Sequence, residues 1–178
     1  VVLPETTAEV SEVLQVCSEE QVKVVPRGAG TGLSGGALPL ADGVTLGLSK
    51  FKRILDIDYE NRTATVQPGV TNLAISQAVE ERGFYYAPDP SSQIACSIGG
   101  NVAENSGGVH CLKYGVTTNN ILGLEIVLID GEIVRLGGKH METPGYDLMG
   151  VITGSEGLLG VITEVTVKIL PRPETARA

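Results

Sequence analysis

Apolar residues along this chain change period several times, and each change marks an element. The opening run Val1–Leu3 reads as a short strand closed by Pro4. Thr6 or Thr7 then offers a hydroxyl that can cap a helix, with Glu9 in the first turn. Val10, Val13, Leu14 and Cys17 follow at helical spacing and predict one buried face. Lys23–Pro26 and Val44–Leu48 read as strands. Ile54–Asp58 and Arg62–Gln67 predict a hairpin that turns at Asp58–Asn61 and ends at Pro68–Gly69. Thr71–Arg82 predicts a second helix, burying Leu73, Ile75, Ala78 and Val79 and stopping at Gly83. Ile121–Ile129 and Glu132–Leu136 are strands joined by a tight Asp130–Gly131 turn. Tyr146–Thr153 predicts a short helix. In Gly160–Leu170, Val161, Thr163, Val165 and Val167 alternate with Ile162, Glu164, Thr166 and Lys168 along one long strand. Ala87–Gly115 shows no period and reads as a loop, and so long a loop in a compact domain is commonly functional. Hairpins mixed with two helices favour an α+β fold over a regular doubly wound one.

Composition narrows the picture. The chain of 178 residues is long enough for one domain or a tight pair of subdomains. Aromatics are 4% and Trp is absent, so the core must be built from Val, Ile, Leu and Ala. A net charge of −8 argues against nucleic acid and anionic membranes as partners. No apolar run approaches the ~20 residues of a membrane helix, and no signal peptide is visible. Cys17, Cys96 and Cys111 form no C-x-x-C pair, which suggests reduced thiols and a cytoplasmic protein. The start at Val1 without Met, and the end just after a strand-like run, read as a piece of something longer.

Glycine carries the chemistry. There are 23 in the chain, nearly twice the usual ~7%, and five of them fall between Arg27 and Gly36 in the run RGAGTGLSGG. Without a Cβ, main-chain N–H groups can approach a ligand closely, and successive inward N–H groups hold anions. In so acidic a chain a phosphate must be held by local geometry, so a diphosphate-containing cofactor is the first expectation. Gly30–Gly35 matches G-x-G-x-x-G, but Pro39 and the Ala41-Asp42-Gly43 turn follow where a Rossmann helix would open. Gly32–Gly36 matches G-x-S-x-G, yet no helix follows Ser34 to make a nucleophile elbow. Ser34 then serves as a hydroxyl donor to an anion or as a loop cap. His110 beside Cys111 lacks further ligands at zinc spacing. His140, between Lys139 and Glu142, reads as an exposed polar turn.

Two more segments repeat the theme. Ile98–Gly108, IGGNVAENSGG, pairs glycines with Asn101, Asn105 and Ser106, which lets main chain lie against a planar ligand while amides read its edge. The plainer alternative is a loop whose amides satisfy its own backbone, which has most weight for Asn105. Gly154–Val165, GSEGLLGVITEV, runs from a small-residue turn into the last long strand. Three such bends in one domain suggest loops converging on one extended ligand.

Together, RGAGTGLSGGALPL, YYAPDPSSQIACSIGGNVAENSGGVHCLKYG and GSEGLLGVITEVTVKILP resemble the FAD-binding domain of the vanillyl-alcohol-oxidase-like flavoprotein family over essentially the whole chain. The resemblance implies a PCMH-type FAD-binding domain of α+β class, with FAD between two mixed α/β subdomains, here about 1–60 and about 61–178. By resemblance Pro26, Arg27, Gly28, Ala29, Gly30, Thr31, Gly32, Ser34 and Gly35 would wrap the diphosphate. Pro90, Ser91 and Ser92 would sit near the diphosphate and ribityl chain. Ser97, Gly99, Gly100, Asn101, Asn105, Ser106 and Gly107 would line the flavin ring, and Gly157, Gly160, Val161 and Ile162 the adenine half or flavin edge. Thr31 stands where some members carry a tethering His. Cys96 is too close to Gly99–Gly100 for a second tether, whose register falls at Gln93, so the resemblance implies noncovalent FAD. The implied reaction is oxidation of glycolate, or a related D-2-hydroxy acid such as D-lactate, to the 2-oxo acid, with hydride passing to flavin N5. The implied partners are a second flavin subunit, an iron–sulfur subunit and a quinone at the membrane, which would make the protein peripheral at the inner membrane. Members carry a substrate-binding cap beyond this domain, expected to be absent here, so no catalytic base and no metal ligand is assigned in this chain. A non-enzymatic nucleotide-binding module and a hydrolase built on Ser34 are the alternatives.

Overall fold

The computed structural model describes residues 1–139 and 145–174. The first helix, α1 (Thr7–Glu19), is capped by Thr6, whose hydroxyl accepts from Glu9 N–H. Such a cap contributes about 1 kcal/mol. Val10, Leu14 and Cys17 form its buried face, with Val13 half-buried at the edge. The helix returns the chain to β1 (Lys23–Arg27), which pairs in parallel with β2 (Gly43–Gly47). The expected strand at Val1–Leu3 reduces to a single parallel bridge from Val2 to Leu46.

The larger unit is antiparallel. β3 (Ile54–Asp58) and β4 (Thr63–Val66) form the expected hairpin, turned by Asp58 accepting from Asn61 N–H. Next come α2 (Asn72–Val79), β5 (Phe84–Tyr85), α3 (Ile98–Glu104) and the single turn α4 (Cys111–Tyr114). They are followed by β6 (Ile121–Val127), β7 (Ile133–Gly137), α5 (Leu148–Ile152), β8 (Val161–Lys168) and β9 (Leu170–Pro171). The five-stranded sheet runs β3-β4-β8-β6-β7, while β5 and β9 make a separate pair. Sheet membership changes between Gly47 and Ile54, and residue 60 falls inside the β3–β4 turn.

One core lies between this sheet and helices α2 and α3, with Val66, Ile75, Val79, Ile98, Val102, Val165 and Val167 at its centre. A second joins α1 to the parallel pair through Val10, Leu14, Leu46 and Phe51. Val127 and Val161, at the end of the larger sheet, belong to that second core and weld the two units together.

Four expectations are corrected. Ala87–Gly115 is not all loop, because it contains α3 and α4. Gly99, Gly100 and Asn101 are weak helix formers and hid α3, which is held by burial and by the Ser97 cap on Gly100 N–H. Helix α2 ends at Val79, with a 3-10 turn over Glu80–Arg82 before Gly83 at φ 73°. Ala78 is exposed and Leu73 only half-buried, and the buried positions are Asn72, Ile75 and Val79. The alternation in β8 is broken, since Glu164 pairs with Glu125 but Ile162 pairs with Ile126. Thr163 is therefore a bulge, where two residues of one strand face one of the other. Ile162 thus shares the main core with Val165 and Val167, while Val161 enters the second. His140 lies outside the described residues.

Candidate functional site

The three glycine-bearing segments meet. A methyl group on Gly28 would lie 2.5 Å from Ser97 Oγ, which joins the first segment to the second. One on Gly157 would lie 3.6 Å from Pro26, and one on Gly154 3.4 Å from Asn105, which joins the third to both. Between them is a cleft of about 530 Å³, within the ~300–1,000 Å³ usual for cofactor and ligand sites.

The wall from the β1–β2 connection is open. Pro26, Arg27, Gly28, Ala29, Gly30, Thr31 and Gly32 all line the cleft. Gly30 sits at φ 73°, a region that L side chains rarely adopt. Among the described residues, no main-chain N–H from Gly28 to Ala37 donates to a main-chain carbonyl. Arg27 makes no ion pair among the described residues, and its guanidinium lies against Gly30. Free amides beside an uncommitted guanidinium form an anion cradle in a chain of net charge −8.

The opposite wall is closed upon itself. Ser91, Ser92, Ser97, Gly99, Gly100, Asn101 and Ser106 line it. Ile98 N–H donates to Val70 O and Gly99 N–H to Pro68 O, both at 2.9 Å. Asn101 Nδ2 donates to Asn72 Oδ1 at 2.9 Å, and Asn72 Nδ2 donates to Pro88 O at 2.8 Å, a buried chain of amides. At the far end of α3, Gly154 N–H and Glu156 N–H donate to Val102 O and Ala103 O. These bonds seat the third segment, from which Gly157, Gly160 and Ile162 reach the cleft.

Six expected residues do not line it, each for a local reason. Ser34 is exposed on the glycine loop. Gly35 accepts from Leu38 N–H in a turn. Pro90 is buried, with its carbonyl on Gln93 N–H. Asn105 ends α3 in the left-handed region and accepts from Thr118 N–H, the plainer role considered for it. Gly107 packs on Val116, and Val161 is carried into the second core by the bulge. No helix follows Ser34, so neither the Rossmann turn nor the nucleophile elbow is built.

Leu33 and Gly36, within the RGAGTGLSGG run, line the cleft too, and sequence reasoning missed Ala37, Leu48, Pro68, Cys96, Ala103, Glu104 and Glu156 as lining residues. Ala103 and Glu104 stood inside the quoted IGGNVAENSGG run, whereas Leu48 and Pro68 gave no local signal. Glu104 approaches Gly32 and Glu156 approaches Gly36. Both carboxylates therefore stand close to the glycine loop that follows Arg27. Glu156 adopts φ 57°, a left-handed conformation uncommon outside glycine.

Beside the second segment, His110 Nδ1 meets Asp89 Oδ2 at 2.6 Å, and Asp89 Oδ1 accepts from His110 N–H. His110 and Tyr114 stand outside the lining. Burial and the neighbouring Tyr114 hydroxyl push the Tyr85 phenol up to about 12, while hydrogen bonding to Tyr85 and Lys113 lowers that of Tyr114. No group of three metal-ligating side chains occurs among the described residues. Cys17, Cys96 and Cys111 are all free, and no described helix is long and apolar enough to cross a membrane.

The glycolate oxidase subunit GlcD of Escherichia coli strain K12 is 63% identical over 99% of this chain, which covers 36% of that protein. GlcD of Bacillus subtilis strain 168 is 51% identical over 99% of this chain and 38% of its own length. A D-lactate dehydrogenase of Archaeoglobus fulgidus is 42% identical over 97% of this chain and 39% of its own. The chain thus spans between a third and two fifths of these relatives. In solved structures, an alkyldihydroxyacetonephosphate synthase superposes with a TM-score of 0.86 at 26% identity, over 98% of this chain and 32% of that one. A match to the FAD binding domain family runs over residues 1–137. With that match over most of its length and three glycine bends around one cleft, the chain belongs to the FAD-binding domain family.

Proposed function

We propose that this chain is the FAD-binding domain of an oxidoreductase that converts glycolate, or a related D-2-hydroxy acid such as D-lactate, to the 2-oxo acid. The observation that carries the reading is the cleft itself. Free amides on residues 28–37 and the Arg27 guanidinium face a rigid wall across a space of cofactor size. The residues fit the group. Gly28, Ala29, Gly30, Thr31 and Gly32 hold the diphosphate with main-chain N–H groups, and Arg27 balances its charge. Ser97, Gly99, Gly100 and Ser106 lie along the ring, with Gly157, Gly160 and Ile162 along the remaining edge. Glu104 and Glu156 accept from hydroxyls of the ribose or ribityl chain, because a carboxylate against a phosphate would repel it. When bound, FAD supplies the hydride acceptor, and the protein positions and tunes it.

The names of the relatives support the substrate class and the subunit reading. Groups that hold the substrate carboxylate and take its hydroxyl proton come from a cap outside these residues. A second flavin subunit and an iron–sulfur subunit take the electrons onward, which places the complex peripherally at the inner membrane. The two subdomains divide where sheet membership changes, and FAD lies in the seam between them. FAD is held noncovalently, since Thr31 offers no imidazole.

The test is the visible spectrum of the full-length protein. Oxidised-flavin bands that leave with the supernatant after acid precipitation are expected. Bands that stay with the precipitate overturn noncovalent binding. Binding of ADP with no uptake of FAD returns the reading to a nucleotide-binding module.

A further inference from the structure

The β8 bulge decides which residues reach the cleft, and a buried carboxylate holds it. Glu125 lies in the middle of β6, and its side chain is 9% exposed. Its Oε1 accepts from Thr163 Oγ1 at 2.9 Å and from Thr7 Oγ1 at 2.9 Å. Its Oε2 meets Arg135 Nη2 at 2.6 Å, and the same guanidinium reaches Glu164 through Nη1 at 3.1 Å. One carboxylate therefore ties together the first turn of α1, strand β7 and the bulged residue of β8. Such an anion is costly to bury unless every lone pair is satisfied, so its three donors are not incidental.

The consequence lies one residue away. In an unbroken strand, Ile162 would point opposite to Val165 and Val167. The extra residue at Thr163 turns Ile162 to the same side, where it lines the cleft, and sends Val161 into the second core. Gly160, at the start of the strand, lines the cleft beside it, and a methyl group there would lie 3.1 Å from Val127 O. We infer that Glu125, acting through Thr163, is a positioning residue for this cleft. It fixes the register that presents Gly160 and Ile162 to the cofactor, and itself touches no ligand. The FAD readout of this inference rests on the flavin reading above, while its hydrogen-exchange readout does not.

The experiment uses the full-length protein. Thr163→Val keeps the shape and removes the hydroxyl, leaving one oxygen of a buried carboxylate short of a donor. FAD affinity, titrated by flavin fluorescence, should fall about tenfold, the scale of a lost hydrogen bond to a charged group. Amide exchange over residues 160–164 of the apoprotein should quicken, and the bound-flavin spectrum should shift. Thr163→Ser should restore all three. Arg135→Gln, at a side chain 66% exposed, loosens the same carboxylate while leaving Thr163 and its hydroxyl in place. It should quicken the same amides with a smaller loss of affinity, and it keeps the test open if Thr163→Val does not fold. A Thr163→Val protein with lowered Tm but unchanged affinity and spectrum would reduce Glu125 to a stability role. Unchanged exchange in both variants would remove it from control of the bulge. Wild-type protein that takes up no FAD while the exchange pattern holds would overturn the flavin reading alone.

Discussion

The two walls of the cleft are both rich in glycine, yet they are built on opposite principles. The wall from β1 to β2 leaves its amides free and carries positive φ at Gly30. The wall around α3 engages main chain and buried amides, through the Ser97 cap, the Asn101–Asn72–Pro88 chain and the bonds from Gly154 and Glu156. In the first wall glycine exposes main chain to a ligand. In the second it lets main chain approach main chain, as at Gly99, where a methyl group would lie 2.6 Å from Pro68 Cβ. On the proposed reading, one wall is a donor array suited to an anion, and the other is the surface against which the ligand would be held. Substitutions should therefore separate into those that cost stability and those that cost binding.

The largest effect is expected at Gly99. Gly99→Val must displace Pro68 and should cost about 3 kcal/mol or more, or roughly 10 °C of Tm for a domain of this size, read by thermal denaturation of the apoprotein. If Tm is unchanged, the close approach is not a constraint. Asn72→Ala strands Asn101 and the Pro88 carbonyl and should cost about 1–3 kcal/mol. Its FAD affinity should fall only as far as the wall loosens, and a loss of binding without loss of stability would move Asn72 into the ligand site. Gly30→Val reverses the pattern. A β-branched residue suits neither φ 73° nor close phosphate approach, so FAD binding should weaken at least about tenfold while the fold survives. Unchanged affinity in that folded variant would take the loop out of the site.

The smallest effect serves as a control outside both walls. Lys139 Nζ lies 2.8 Å from both Asp56 and Asp58. Asn61 first, and Lys139 with it, holds the Asp58 carboxyl well below the usual carboxylate range. A depressed carboxylate contributes stability that is present above its unfolded value of ~3.9 and lost as pH falls below it. The group is exposed, so the contribution is small and screened by salt. Tm should decline slightly more steeply on acidification in the wild type than in Asp58→Asn, while FAD affinity stays the same. A change in affinity would link this hairpin to the cleft.

Much of the fold was legible in local pattern. Thr6 capped α1 as read, the Asp58–Asn61 turn closed the first hairpin, and Gly83, in the left-handed region, ended the 3-10 turn that follows α2. What failed shares one physical origin. Helix α3 is written in weak helix formers and exists because Val70, Pro68 and Asn72 satisfy and bury it from far along the chain. The β8 alternation looked unbroken because the bulge at Thr163 is imposed by Glu125 on another strand. Leu48 and Pro68 entered the cleft only through the packing of distant elements.

Sequence alone determined most of the helices and strands, the α+β class and the three side-chain-poor bends, since caps, turns and periodicity act within a few residues. Tertiary structure alone decided which bends face one another, which glycines expose amides and which merely permit contact, and which face of β8 lines the cleft. Those outcomes depend on donors and surfaces supplied from elsewhere in the chain, as the carboxylate of Glu125 does for Thr163, and no local pattern records them.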